Sequence, residues 1–326
     1  MSAQRIVFRS FGVPEDVVEV EAFEPSPPSA NEVSVRMEAA PINPADLNYI
    51  EGVYGVKPDL PGVAGLEGFG RVSATGPGVT NLAVGDPVIF LSSRGTWASE
   101  VVCPAGSVIP IPAGLDPVQA AMLKVNPLTA LRLLKDFGQP QAGAWVAQNA
   151  ANSSVGQCVT QVAKALGLRT LNFVRRPEAI APLEALGADC VLLDEAGSAK
   201  DAPGKPTLAF NAVGGDSATR LMDLLAEGGK LVTYGAMGRQ ALKVPNKFLL
   251  FKGLQLHGLW VTRWLRSAPR GAIADAYAFL AGLMAAGSLR VAVEATYPLD
   301  RAAEAIRHAK TERRTGKIVL QPASSI

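Results

Sequence analysis

The sequence predicts an α/β chain in which a β-rich domain is interrupted by a doubly wound, parallel-sheet nucleotide-binding domain. Three observations predict it. Short β-branched runs separated by Gly, Pro and Asn fill residues 1–120. From about Pro117 onward, strand-like and helix-like segments alternate. Where the first of these strands should meet its helix, the turn from Asn149 to Gly156 is built almost wholly of small residues.

The β-rich part carries expected strands at 6–8, 17–21, 33–37, 71–74, 87–91 and 98–103, a spacing that suits a sandwich or small barrel. Gly and Pro are dense between Gly52 and Gly78, which implies long shaped loops over a binding cleft. In the alternating part, strands are expected at 144–148, 169–174, 190–193, 207–213 and 230–234, with helices at 155–166, 178–186 and 218–226. After Arg263 come a helix at 272–286, a strand-like stretch at 291–297, a helix at 300–310 and a last strand at 317–320. This tail is expected to return to the first domain. The boundaries are then 1–120 and 264–326 for the catalytic domain and 121–263 for the nucleotide-binding domain.

Composition narrows the function classes. With 326 residues, 48% of them hydrophobic and 18% charged, the chain can bury two ordinary cores. A net charge of +2 gives no reason to expect nucleic acid as a partner, although a local basic pocket for an anionic ligand stays open. The N-terminal stretch has no apolar signal-peptide core, and Asp275 and Tyr277 interrupt the most apolar run, so neither secretion nor a membrane partner is expected. Cys103, Cys158 and Cys190 are scattered, which suits a reducing compartment and small buried side chains. Together these features lead to the expectation of a cytoplasmic protein.

A dinucleotide fold needs small residues between its first strand and helix. They allow a tight turn and close backbone approach to the pyrophosphate, which the helix N-terminus then attracts. Here only Gly156 holds a glycine position of the usual GxGxxG pattern, and an ordinary strand-to-helix turn would also use small residues. The end of the second strand chooses the cofactor. An acidic residue there would accept from the ribose hydroxyl of NAD, whereas this chain has Arg175 and Arg176, whose guanidiniums suit the 2′-phosphate of NADPH. A solvated arginine pair at a strand end is the alternative. Metal chemistry is not expected: there are two histidines, His257 and His308, and no CxxC. His257 lies in an apolar run and is expected in the core or a cleft.

Further motifs make the resemblance specific. They are Ile42-Asn43-Pro44-Ala45-Asp46, Gly52-Val53-Tyr54-Gly55, Leu60-Pro61-Gly62, Gly95-Thr96-Trp97, Asn126-Pro127-Leu128-Thr129-Ala130, Gln148-Asn149-Ala150-Ala151-Asn152-Ser153, Tyr234-Gly235-Ala236-Met237 and the tract from Phe251 to Trp264. With these segments the chain resembles the medium-chain dehydrogenase/reductase superfamily over nearly its whole length, and within it the mitochondrial-type 2-enoyl thioester reductases. The resemblance implies a GroES-like β-rich catalytic domain and a Rossmann domain. It also implies NADPH as cofactor, no zinc (Leu66 stands where zinc members carry histidine), and a homodimer formed by strand pairing at the edge of the nucleotide-binding sheet.

The same resemblance assigns roles. Tyr54 matches the catalytic tyrosine. Asn126 matches an asparagine near the nicotinamide end, with Asn43 and Thr129 as neighbouring cofactor contacts. Asn152, Ser153, Ser154 and Val155 match the pyrophosphate loop, and Arg175 and Arg176 the 2′-phosphate clamp. Tyr234, Gly235, Ala236, Met237, Leu259, Trp260, Val261 and Lys317 match further cofactor contacts. Two departures stand out. Ser154 replaces a usual glycine, and Pro177 shortens the arginine segment, which leaves the clamp register open.

The implied substrate is an enoyl thioester of CoA or acyl-carrier protein. Hydride goes to the β-carbon, and Tyr54 assists protonation, a role open to a phenol because its reference pKa of about 10 keeps it protonated at neutral pH. Trp97, Trp260 and Trp264 are candidate walls for an acyl chain, with core packing as the alternative. Arg313, Arg314 and Lys317 are candidate attractors of a CoA phosphate, with a solvated helix end as the alternative for the first two. A quinone reductase of the same superfamily would use the same cofactor site, and a non-catalytic NADPH-binding protein would keep that site without turnover.

Overall fold

Strand Glu32–Pro41 is the spine of the first of two units into which the chain divides. Val33, Val35, Met37 and Ala39 are buried on one face, and on the other Ser34 and Ala40 are buried too while Arg36 is exposed, so both faces of this strand feed cores. In the computed structural model, residues 2–91, 95–312 and 314–322 are described. The first unit comprises Met1–Val125, Leu265–Ala286 and Arg290–Ile326; the second comprises Asn126–Trp264 and Gly287–Leu289.

In the first unit a three-stranded antiparallel sheet (Val18–Phe23, Ala3–Phe8, Gly62–Val63) accompanies a seven-stranded one. The order of the latter is Val293–Tyr297, Lys317–Leu320, Glu32–Pro41, Phe69–Thr75, Pro87–Phe90, Val108–Pro110, with Glu100–Pro104 also paired to Glu32–Pro41. The C-terminal strand thus returns to the N-terminal half, pairing Val319 with Pro41 and Leu320 with Ala40. That register carries Lys317 back to the end of Glu32–Pro41, where Asn43 begins the next helix. Ile6, Phe8, Ile50, Trp97, Ile306, Ile318 and Leu320 form one core from both ends of the chain.

The second unit is a six-stranded parallel sheet ordered Cys190–Leu193, Arg169–Val174, Trp145–Gln148, Leu208–Asn211, Lys230–Thr233, Gln255–Gly258. The first three strands run outward one way and the last three the other. Ligands in such sheets bind at the carboxyl ends of the strands, at the point where the order reverses. Among the described residues, no helix is long and apolar enough to cross a membrane.

Two expectations need correction. His257 is exposed, not in a core, because its strand Gln255–Gly258 is the sheet edge; its ring lies 5.4 Å from the Phe137 ring, centroid to centroid. Cys103 and Cys158 are buried, but Cys190 is only half-buried, on the opposite edge strand. Helices Pro44–Ile50, Pro117–Ala121, Asn126–Asp136 and Val261–Ser267 lie outside the helices read from periodicity.

Candidate functional site

Four segments of the second unit meet the carboxyl edge of its sheet. The turn after Trp145–Gln148 leads into helix Ser154–Ala165. Ser153 caps that helix, its hydroxyl accepting from the Gly156 amide at 3.2 Å. The remaining first-turn amides, those of Ser154 and Val155 included, have no acceptor within the helix and carry its positive dipole end. Gly156 is required by packing: a Cβ there would lie 2.4 Å from the Ala151 carbonyl oxygen. Asn152 is exposed and Ser153, Ser154 and Val155 half-buried, so the turn is open to a ligand.

Polar side chains that sequence reading passed over hold this turn. Gln148 Nε2 donates to Gly156 O at 2.9 Å and to Asn172 Oδ1 at 2.7 Å, tying the first two strands to the helix. Asn149 is fully buried; its Nδ2 donates to Asn211 Oδ1 and Ser217 Oγ, both at 2.8 Å, and its Oδ1 accepts from the Ala212 amide. The available signal was a polar amide in each apolar strand run, Gln148-Asn149 and Asn211 at the ends and Asn172 inside, where a buried amide must find partners.

Arg175 is exposed and Arg176 half-buried at the end of Arg169–Val174, and neither makes an ion pair among the described residues. Pro177 starts a 3-10 turn, Pro177–Ala179, with Arg176 extended before it (φ −132°, ψ 136°). The proline therefore stops the strand and leaves both guanidiniums at its tip. Tyr234 to Met237 fold back over the next strand pair: the Tyr234 amide donates to Asn211 O and the Met237 amide to Ala212 O. Burial pushes the Tyr234 phenol well above its ordinary pKa, with the Ser153 hydroxyl beside it pulling the other way. Leu259, whose amide donates to Thr233 O, and half-buried Trp260 follow the edge strand; Val261 opens helix Val261–Ser267, in which the Arg132 guanidinium lies 4.6 Å over the Trp264 ring. Asn126 opens helix Asn126–Asp136, and Thr129 is buried in its first turn. The Asn126 amide nitrogen is buried with no hydrogen-bond partner among the described residues.

NADPH fits these residues. A buried amide at Asn126 with no hydrogen-bond partner and strand-tip guanidiniums with no ion-pair partner among the described residues, together with a glycine-tight helix start, are the donors that a nicotinamide end, a 2′-phosphate and a pyrophosphate require.

In the first unit, Tyr54 is half-buried on a loop whose amides at Val53 and Tyr54 both donate to Asn48 O at 3.0 Å. Its ring packs on the core formed by Ile6, Phe8 and Ile50. Trp97 has no exposed surface and donates from its indole to Pro41 O, so it serves the core and offers no wall to a ligand. Arg314 is half-buried and donates to Gly316 O, unlike a solvated helix end; Arg313 lies outside the described residues.

Beneath the Asn43 helix start is a buried ionic cluster. The Asn43 amide donates to Asp46 Oδ2 at 2.8 Å, and Asn43 Nδ2 donates to Glu67 Oε1 at 2.7 Å. Lys317 Nζ donates to Asn43 Oδ1, and the Val125 amide to Glu67 Oε2 at 2.8 Å. Lys124 donates to Leu66 O. Burial pushes the Asp46 carboxyl up to about 7 against the Asn43 hydrogen bond, with Glu67 adding to the rise and Lys317 opposing it. Burial also raises Glu67, which Lys317 and the Asn43 amide resist.

The raised Asp46 has a consequence for stability. Folded, it keeps its proton up to about pH 7, whereas an unfolded aspartate loses it near pH 4. Across that window the unfolded chain binds fewer protons, so the Asp46 contribution to stability falls as pH rises and levels off above about 7. Asp46→Asn keeps an acceptor for the Asn43 amide and removes the ionisation. The melting temperature of the variant minus that of the wild type is expected to climb from pH 4 to 7 and then flatten. A difference independent of pH would show that Asp46 does not titrate in this range.

Comparison with known proteins places these features in a family. Residues 29–113 match the "Alcohol dehydrogenase GroES-like domain" model and residues 186–320 the "Zinc-binding dehydrogenase" model. The human mitochondrial enoyl-[acyl-carrier-protein] reductase is 41% identical over 307 residues, spanning 90% of this chain and 82% of that protein. The Etr1p complex with NADP and crotonyl-CoA superposes with a TM-score of 0.89 at 27% identity, covering 98% and 100% of the two chains; Etr1p is a mitochondrial 2-enoyl thioester reductase of Candida tropicalis. The Escherichia coli quinone oxidoreductase bound to NADPH gives a TM-score of 0.88 at 27% identity over the same shares.

Two points follow. The cytoplasmic expectation is overturned, since the human protein and its Xenopus and Arabidopsis counterparts are all named mitochondrial. Scattered free thiols separate a reducing from an oxidising compartment and cannot separate two reducing ones. The residues do not fit the zinc of the second model's description. Among the described residues no group of three or more His, Cys, Asp or Glu converges, and burial raises the Cys103 thiol to about 12, far from the thiolate a metal needs.

Proposed function

This chain belongs to the enoyl-[acyl-carrier-protein] reductase family of the medium-chain dehydrogenase/reductases, and on that premise we propose that it reduces the C2=C3 bond of trans-2-enoyl thioesters with NADPH. The observation that carries the reading is 41% identity with the human enoyl reductase across 90% of this chain. When bound, NADPH supplies the hydride for the β-carbon. The chain's own residues do the rest. Asn152, Ser153, Ser154 and Val155 hold the pyrophosphate with the dipole end of their helix, and Arg175 and Arg176 hold the 2′-phosphate. Asn126, with Thr129, Asn43, Lys317, Tyr234 to Met237 and Leu259 to Val261, orients the nicotinamide half. The Tyr54 hydroxyl donates a hydrogen bond where negative charge develops on the substrate and assists delivery of the proton to the α-carbon. Trp260 and Trp264 flank the acyl chain.

The units read as a catalytic domain in two parts, 1–120 and 264–326, around a nucleotide-binding domain at 121–263. A homodimer forms through the edge strand Gln255–Gly258. Support for this is an edge strand whose four residues are all exposed, Leu256 at 39% among them, preceded in the chain by Leu250 at 73% and Phe251 at 80% exposure, an apolar stretch of the kind that proteins normally cover.

The test is steady-state oxidation of NADPH by the wild-type chain with crotonyl-CoA, longer enoyl-CoAs and simple quinones. Turnover of crotonyl-CoA well above that of quinones is expected. Turnover confined to quinones would move the chain to the reductases exemplified by the E. coli structure, and NADPH binding without turnover would make it a non-catalytic binder.

A further inference from the structure

We infer that Glu67 is a positioning residue of the reduction, a buried carboxylate that sets two cofactor-facing elements at once through Asn43. The inference rests on the reading above, in which Lys317 and Asn126 meet NADPH. Three bonds in series carry it. Lys317 Nζ donates to Asn43 Oδ1, Asn43 Nδ2 donates to Glu67 Oε1, and the Val125 amide donates to Glu67 Oε2. Lys317 stands at one end of this chain. At the other is the main chain one residue before Asn126, whose buried Nδ2 has no hydrogen-bond partner among the described residues.

Glu67 itself is fully buried and held by its backbone as well, its carbonyl accepting from Thr96 Oγ1 at 2.7 Å. A carboxylate withdrawn from water is costly unless it is paired and hydrogen-bonded. Asp46, Lys124, Lys317 and the Tyr277 phenol face the same cluster. A structural role alone would be met by an apolar side chain of similar volume, whereas an acceptor-only group with two oxygens is what two converging N–H donors demand.

Donor and acceptor order gives a specific test. Glu67→Gln has one oxygen, so its amide N–H must face either Asn43 Nδ2 or the Val125 N–H, both donors. Asn43→Asp sets a second carboxylate against Glu67. The double substitution Asn43→Asp/Glu67→Gln restores every bond with the middle one reversed: Lys317 donates to the new carboxylate, the new amide donates to its other oxygen, and the Val125 amide donates to the remaining carbonyl. Total charge is unchanged.

NADPH binding is measured by fluorescence titration of the apo chain, with thermal melting of each variant and KM and kcat for crotonyl-CoA reduction. Each single variant is expected to bind NADPH about tenfold more weakly or worse, the scale of one buried donor left unpaired. KM for NADPH is expected to rise more than kcat falls, and the double variant to return within about threefold of wild type. Single variants that melt early yet bind NADPH like wild type would reduce Glu67 to a structural part and overturn the inference. So would a double variant that regains its melting temperature without regaining affinity. If a single variant does not fold, the double variant decides by the same binding criterion. Failure of the wild type to reduce any enoyl thioester would instead strike the functional reading, and that assay is independent of these variants.

Discussion

Tyr54→Phe is expected to lower kcat for crotonyl-CoA reduction by about 100-fold or more, the range typical of removing a positioned proton donor, and to leave the NADPH dissociation constant nearly unchanged. The reason for so clean an effect lies in how the loop is built. Helix Pro44–Ile50 starts at Asn43-Pro44, with the Asp46 carboxyl oxygen Oδ2 accepting from the Asn43 amide. It ends where Asn48 O collects the amides of both Val53 and Tyr54. Gly52 makes that reversal possible. Its φ is +75°, and a Cβ there would lie 2.8 Å from the Phe11 ring. The tyrosine backbone is therefore fixed by bonds that do not involve its hydroxyl, and the ring is fixed by apolar packing. Phenylalanine keeps all of these and deletes only the oxygen. A loss in kcat with unaltered melting and cofactor binding is the signature of an interaction made in the transition state. Full turnover in the variant would take Tyr54 out of the chemistry.

How far the sequence itself revealed this follows from the kind of signal each element carries. The parallel sheet was legible because its strands are apolar runs between turn residues, and the expected strands at 169–174 and 190–193 coincide with those observed, as does the strand of the other unit at 317–320. The turn proposed to take the pyrophosphate is marked in the sequence by its small residues and by the glycine at 156, which packing requires. Short helices were not: Pro44–Ile50 and Pro117–Ala121 are too brief for a 3.6-residue period to emerge, although Asn43-Pro44 and Asp116-Pro117 are start signals that could have been used. The ionic cluster was invisible for a different reason. Asn43, Glu67 and Lys317 are 24 to 274 residues apart, and the pairing of Glu32–Pro41 with the last strand on one side and with Phe69–Thr75 on the other brings them together. Trp97 shows the limit of residue type as a guide, since a tryptophan suits a pocket wall and a core equally, and only burial decides.

Replacing both Arg175 and Arg176 with alanine should collapse the preference for NADPH over NADH. Each charge-assisted bond to a phosphate is worth roughly 1.5–3 kcal/mol, so losing two should lower kcat/KM for NADPH by roughly 100-fold to 1,000-fold or beyond. The value for NADH, which has nothing for them to grip, should stay within about threefold. Among the described residues, the charge at this strand tip is not spent on an ion pair. The acid that ends the neighbouring strand, Asp194, is already committed: it accepts from Ser217 Oγ at 2.5 Å and from Arg220 Nε at 2.6 Å. Arg175 and Arg176 have no such partner among the described residues, and the extended Arg176 followed by Pro177 keeps them at the end of the strand. A pair of guanidiniums with no ion-pair partner among the described residues is a standing attraction for a phosphate monoester dianion, which NADPH carries at its 2′ position and NADH lacks. Arg→Lys at both positions separates the two contributions to this attraction: it keeps the charge but loses the planar fork, so the preference should fall only part of the way. An unaltered NADPH-to-NADH ratio in the double alanine variant would place the 2′-phosphate elsewhere and remove the arginine pair from cofactor choice.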